Sequence, residues 1–184
     1  MASTSYQAFE TAIADAERLL VLFDKLPQQE RQPNEVLKRA ALIMTLTAWE
    51  TYIESLLLEL VEKKICGIQG SYAGDFILKK LHKEINQLHN PTSDKVKHLS
   101  EDYLQRNLTE FWHWNNVEPE DARIQLNAWL SKRGDVVHHG RQNDDPKTPH
   151  LVKREELDKA MRFFKELVRV TDKAATQPAP ALTI

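Results

Sequence analysis

Apolar residues in this chain recur every three to four positions over windows of about twenty residues, and most of its prolines fall between those windows. Phe9, Ile13, Ala16, Leu20 and Phe23 mark a first helix from about Ser5 to Leu26, which Pro27 ends. After the polar connector PQQERQPN, a second and longer helix runs from about Asn34 to Ile65. Leu37, Ala41, Met44, Ala48 and Tyr52 lie along one side of it. Leu42, Trp49, Ile53, Leu56 and Leu60 lie along another. A helix that is apolar on several sides belongs at the centre of a bundle.

CGIQGSYAG breaks the second helix with three glycines. A third helix is expected from about Asp75 to His89, carrying Phe76, Leu81, Ile85 and Leu88. HNPTSD then turns into a fourth, capped near Ser93 or Asp94 and continuing through Val96, Leu99 and Tyr103. EFWHWNNVEP connects to a fifth, with Pro119 in its first turn and Glu120 and Asp121 at the positive end of its dipole. It runs through Ile124, Leu126, Trp129 and Leu130. GRQNDDPKTPH reads as a polar loop, and about Val152 to Asp172 as a last helix with Leu157, Met161, Phe164 and Val168 inward. No internal repeat is visible. The expected fold is all-α, a single helical bundle of five to six helices over residues 1–172, followed by a flexible tail over 173–184.

Composition narrows the functional classes. The 184 residues carry a net charge of −2, so a strongly basic nucleic-acid footprint over the whole chain is excluded. Cys66 is the only cysteine, which excludes an intramolecular disulfide and a multi-cysteine metal site. The first twenty residues lack a basic region followed by an apolar run, and no apolar stretch approaches a membrane span, so a cytoplasmic location without membrane contact is expected. P-loop, dinucleotide-glycine and G-x-S-x-G patterns are all missing. A zinc site from His138, His139, His150 and Asp144 or Asp145 matches no strong ligand spacing, so neither metal nor cofactor is expected.

The densest chemistry lies in SKRGDVVHHG, residues 131–140. Arg133 and His138 are five residues apart, about 140° around a helix axis, so one helix does not stack them on a single face. A two-fold dimer joining two such helix ends would bring both pairs into a shared cleft. Asp135 lies three residues before His138 and four before His139, near enough to fix a histidine tautomer and raise its pKa. The same ten residues also read as an ordinary helix C-terminus, with a basic last turn and Gly140 as the stop. Local pattern leaves both readings open.

Taken with TAWETYIESLL (47–57), LHNPTSDKVKHL (88–99) and ARIQLNAWLSKRGDVVHHG (122–140), the chain resembles the HEPN superfamily of helical bundles, many of them metal-independent endoribonucleases. It is most similar to the RiboL-PSP type, and Arg133-x4-His138 fits the superfamily's R-x(4–6)-H signature. The resemblance implies a homodimer with the two motifs at its interface, and attack of a ribose 2′-OH on the adjacent phosphate without metal. It implies that His138 is the general acid or base and that Arg133 holds the scissile phosphate. Gly134 stands where many members have a polar residue, and Asp135 takes the orienting role one position later. His139 stands where many have glycine, as a second proton carrier or the partner in an R-x5-H register.

RNA is the expected partner. Between Lys132 and Arg154 the net charge is +3, with Lys132, Arg141 and Lys147 as phosphate contacts. Trp112, His113 and Trp114 stack on unpaired bases if they are exposed, but buried packing is expected for at least one of the tryptophans. Trp49 and Tyr52 read as core aromatics. Glu50 and Glu54 form a like-charge i, i+4 pair that an arginine or lysine from another helix or subunit would offset. The activity so implied is an endoribonuclease acting on single-stranded or loop RNA, in the manner of a toxin or phage-defence effector with a cognate antitoxin or regulatory protein. The alternatives are a non-catalytic HEPN module that binds RNA or protein, and a structural helical adaptor.

Overall fold

The computed structural model describes residues 2–139 and 152–177, without the side chains of 137–139. Among these residues the helices are α1 (Thr4–Lys25), α2 (Gln28–Arg31), α3 (Val36–Lys64), α4 (Tyr72–Ile85), α5 (Ser93–Leu104), α6 (Pro119–His139) and α7 (Arg154–Thr176). Single 3-10 turns cover Cys66–Ile68 and Leu108–Phe111. No strand occurs among the described residues beyond one isolated bridge between Trp114 and Val117.

α3 is the axis of the bundle. It touches α1, α4, α5, α6 and α7, which is why its apolar residues form no single stripe. Trp49, Leu42, Leu46 and Leu56 along it have no exposed surface. Trp49, Tyr52, Trp112 and Phe164 form an aromatic centre, with ring centroids 6.0–6.1 Å from Trp49. Phe9 of α1 meets Tyr52 edge-on at 5.9 Å.

The helix ends follow from capping chemistry. Ser3 caps α1 by accepting the Tyr6 N–H, and its hydroxyl also bonds Asp172 of α7. Ser71 caps α4 by accepting the Gly74 N–H at 3.2 Å. A Cβ on Gly74 would lie 2.4 Å from the Ile68 carbonyl oxygen, so this close approach of two backbones requires glycine. Thr92 caps α5, one residue before the expected position, and Gln105 ends it in the left-handed region.

Several boundaries differ from expectation. The polar connector after Pro27 contains one helical turn, α2. α4 starts earlier than the spacing suggests because Ser71 caps it, and helix cannot reach the expected end at His89 and beyond, where Asn90 has φ +53 before Pro91. Leu88, outside the helix, is nevertheless buried. α7 continues past Asp172 to Thr176, because Ala174 still packs into the core. Met44, Phe76 and Ile124, all on helical apolar patterns, are exposed. The expected polar loop GRQNDDPKTPH (140–150) and the tail after Gln177 lie outside the described residues.

Candidate active site

Three segments far apart in the chain meet at Arg133. α6 presents this residue in its last two turns, with Leu126, Leu130 and Val136 buried and anchoring the helix to the core. The Arg133 Nη1 donates to Glu50 Oε2 of α3 at 2.8 Å and to Asn90 Oδ1 of the α4–α5 loop at 3.0 Å. Glu50 uses its other oxygen, Oε1, to accept the Asn90 backbone N–H at 3.0 Å. One carboxylate thus holds both the guanidinium and the loop that supplies the guanidinium's second acceptor.

The loop is pinned from both sides. Trp49 Nε1 donates to the Pro91 carbonyl at 3.2 Å, beside the Glu50 contact. Asn127 of α6 accepts the Ser93 N–H at 3.0 Å and donates to the Ser93 hydroxyl at 2.9 Å. Asn90 adopts the left-handed conformation that asparagine tolerates better than most residues. The neighbours of Arg133 are therefore fixed by two helices and a capped turn.

The electrostatics match this geometry. The Arg133 and Glu50 side chains retain 25% and 16% of their exposure, so their pairing is screened less than at an open surface. Both described bonds use Nη1. The Nε–Nη2 edge makes no bond to a described residue, and that edge has the fork geometry that grips a phosphate through two oxygens. One turn along α3, burial and then the charge of Glu50 push the Glu54 carboxyl up from its ordinary value. Arg133 thus offsets the Glu50 half of the like-charge pair.

The other expected site residues fare differently. Asp135 is exposed on the same turn of α6 as Arg133. The α6 backbone continues as helix through His138 and His139, whose side chains lie outside the described residues, as do Gly140, Arg141 and Lys147. Lys132 ties α6 to α7 by a 2.7 Å bond to Glu156, and its ammonium lies 5.7 Å from the Trp129 ring centroid.

The basic character counted between Lys132 and Arg154 is reduced in space. Glu50 pairs with Arg133, Glu156 with Lys132, and Asp24 and Asp158 with Arg154. These carboxylates come from outside the counted window. Trp112 is fully buried and Trp114 packs on Phe163 at 5.6 Å, so at least one of these tryptophans belongs to the core, as expected, and Trp112 offers no stacking surface. Among the described residues no group of three or more histidine, cysteine, aspartate and glutamate side chains is arranged to hold a metal. No helix among them is long and apolar enough to cross a membrane.

Glu50 was expected to need an arginine or lysine from another helix or subunit, and Arg133 is that partner. Asn90 read as a turn residue before a helix cap, and its bond to Arg133 was not expected. Their only signal was the unbalanced Glu50–Glu54 spacing and a turn placed before a helix cap. Neither spacing reports a partner 83 or 43 residues away.

A family model described as RiboL-PSP-HEPN matches residues 11–177, which includes every helix that builds this arrangement. The chain belongs to the RiboL-PSP-HEPN family. No curated protein and no solved structure matches it. As a HEPN protein it is all-α, and the three segments that carried the resemblance, around Trp49, Asn90 and Arg133, are the ones that converge.

Proposed function

We propose that this HEPN protein is a metal-independent endoribonuclease that cleaves single-stranded or loop RNA. Its site is composite, built where two copies bring their α6 ends together. The Nε–Nη2 edge of Arg133 grips the scissile phosphate and offsets the charge that builds up as the phosphorus becomes five-coordinate. His138 takes the proton from the attacking 2′-OH, and a second proton carrier, His138 of the other copy or His139, protonates the departing 5′-oxygen. The P–O5′ bond breaks as the 2′-O–P bond forms, leaving a 2′,3′-cyclic phosphate and a 5′-hydroxyl. Asp135 orients the imidazole, and Lys132, Arg141 and Lys147 contact flanking phosphates. A toxin or phage-defence role, with an antitoxin or regulator as partner, accords with such an activity.

The observation that carries this reading is the fixed guanidinium. Two acceptors hold Nη1 and leave the phosphate-binding edge unbonded among the described residues. Preorganisation of this kind matters most for charge that develops only in a transition state. Incubating the protein with mixed RNA in EDTA should yield fragments ending in 2′,3′-cyclic phosphate. Arg133→Ala and His138→Ala should each slow cleavage by about 10²–10³-fold while the protein remains folded. Cleavage that persists in both variants sinks the proposal.

The same ion pair favours one rival. Glu50 and Asn90 satisfy both hydrogens of Nη1, as they would if Arg133 only locked α6 to α3. A non-catalytic HEPN module predicts RNA or protein binding without products, and Arg133→Ala would then act through stability alone.

A further inference from the structure

α4 displays an aromatic pair that the bundle leaves in solvent. Tyr72 is 88% exposed and Phe76 57% exposed, one helical turn apart, although burying such rings is the usual outcome. Their planes are 22° apart and their centroids 6.4 Å apart, so the two rings present roughly parallel faces. At about 100° per residue, Tyr72, Phe76, Lys79 and Lys83 fall within a wedge of about 60° around the helix, with Lys80 at its margin. All three lysines are exposed. Lys79 and Lys83 form no ion pair with a described residue, and Lys80 reaches Glu84 only at 3.8 Å. Of the acids of this helix, Asp75 lies about 40° beyond one edge of the wedge, as far as Lys80 lies beyond the other, and Glu84 lies about 80° beyond. Leu81 and Ile85 on the far side bury α4 against the bundle.

We propose that this face of α4 is a binding surface for single-stranded nucleic acid, with bases stacked on Tyr72 and Phe76 and phosphates met by Lys79, Lys80 and Lys83. The two rings lie at the N-terminal end of the face and the lysines follow toward its C-terminal end. A ring platform continued by a cationic run suits a strand carrying both planar bases and charged phosphates. A second copy of the chain suits it poorly. A two-fold contact through this face would oppose three lysines with three lysines, around an apolar patch of only Ile68, Tyr72 and Phe76. Lys83 lies seven residues before Asn90, which holds Arg133, so the C-terminal end of α4 leads in sequence into the loop of the candidate site. As a feeder of substrate, the surface rests on the endoribonuclease reading. As a single-strand binding surface, it stands by itself.

The test is fluorescence anisotropy with a labelled 12-nucleotide 2′-O-methyl oligouridine, which resists 2′-OH attack, in the Arg133→Ala background. Tyr72→Ala/Phe76→Ala should weaken binding at least about tenfold, and a duplex of the same length should bind more weakly than the single strand. Lys79→Gln/Lys83→Gln should flatten the slope of log K against log salt by about 1.4, at about 0.7 for each phosphate no longer neutralised. These side chains are exposed, so melting temperatures should hold. Unchanged oligonucleotide affinity in the aromatic variant overturns the proposal. So does duplex binding equal to single-strand binding, an unchanged salt slope, or an aromatic variant that loses self-association or binding to anionic vesicles in place of RNA. If the wild type cleaves no RNA while this binding pattern holds, the endoribonuclease reading falls and the α4 surface stands. Cleavage by the wild type with no effect of either α4 variant on binding gives the reverse.

Discussion

At Glu50 a single carboxylate neutralises Arg133, fixes the Asn90 backbone and raises the pKa of Glu54. Glu50→Gln keeps the shape and removes the charge, but its single amide oxygen can accept from Arg133 or from the Asn90 N–H, not from both. Arg133 then loses its ionic partner in a half-buried setting, at a cost of about 1–2 kcal/mol in unfolding free energy. The guanidinium charge is then no longer neutralised by its neighbour, and the side chain is less fixed. RNA should therefore bind at least as tightly, while cleavage slows about tenfold, a split that binding and single-turnover assays resolve. Glu54 offers an independent readout. Burial is the larger cause of its raised pKa and the Glu50 charge the next, so in Glu50→Gln its titration by NMR should move down, though not to the ordinary glutamate value. A Glu54 pKa that stays put would mean the two carboxylates do not sense each other as the structure has them.

Gly134 raises the question of why α6 weakens itself beside Arg133. A Cβ built there meets nothing within 4 Å, so no described residue of this copy of the chain needs the glycine. Glycine inside a helix costs about 1 kcal/mol relative to alanine. Gly134→Ala should raise the melting temperature by about 2–4 °C. If a second copy or the RNA backbone approaches α6 at this point, cleavage should fall as stability rises; equal activity would leave the glycine without a role at the site. The helices themselves were largely legible in the sequence, because a 3.6-residue period reports burial directly: Phe9, Ile13, Ala16, Leu20 and Phe23 are all inside. Phe76 has the same spacing and is exposed, since periodicity gives the face of a residue only when the length of the covering neighbour is known. Arg133 was legible as a chemical residue, but its partners were not. Glu50 and Asn90 reach it through tertiary packing of α3, α6 and a loop, and no local pattern encodes that convergence.

Across the whole bundle, carboxylates tie the helices together at sites where ionisation matters. Glu59 of α3 accepts the Thr4 and Ser5 N–H groups and the Ser5 hydroxyl at the start of α1, and pairs with Lys63. Burial alone would raise its pKa, yet Lys63, Ser5 and Thr4 hold it down at about 2. Asp24 of α1 is lowered by its hydrogen bonds to Arg154, and Glu156 by Lys132 across α6 and α7. A carboxylate with a lowered folded-state pKa contributes stability that is present above its unfolded value and lost as pH falls through the folded one. For Glu59 that window runs from about 4.5 down to about 2. Glu54, with its raised pKa, pulls the other way against these three. The melting temperature should therefore hold near neutral pH and drop steeply below about pH 4.5. Glu59→Gln identifies the contribution. It removes charged hydrogen bonds worth about 2 kcal/mol, so it should lower the melting temperature at about pH 7 by about 4–8 °C. At about pH 2, where wild-type Glu59 is itself half protonated, the difference should shrink to less than half of that. A constant difference across that range would mean that the Glu59 charge does not hold α1 to α3.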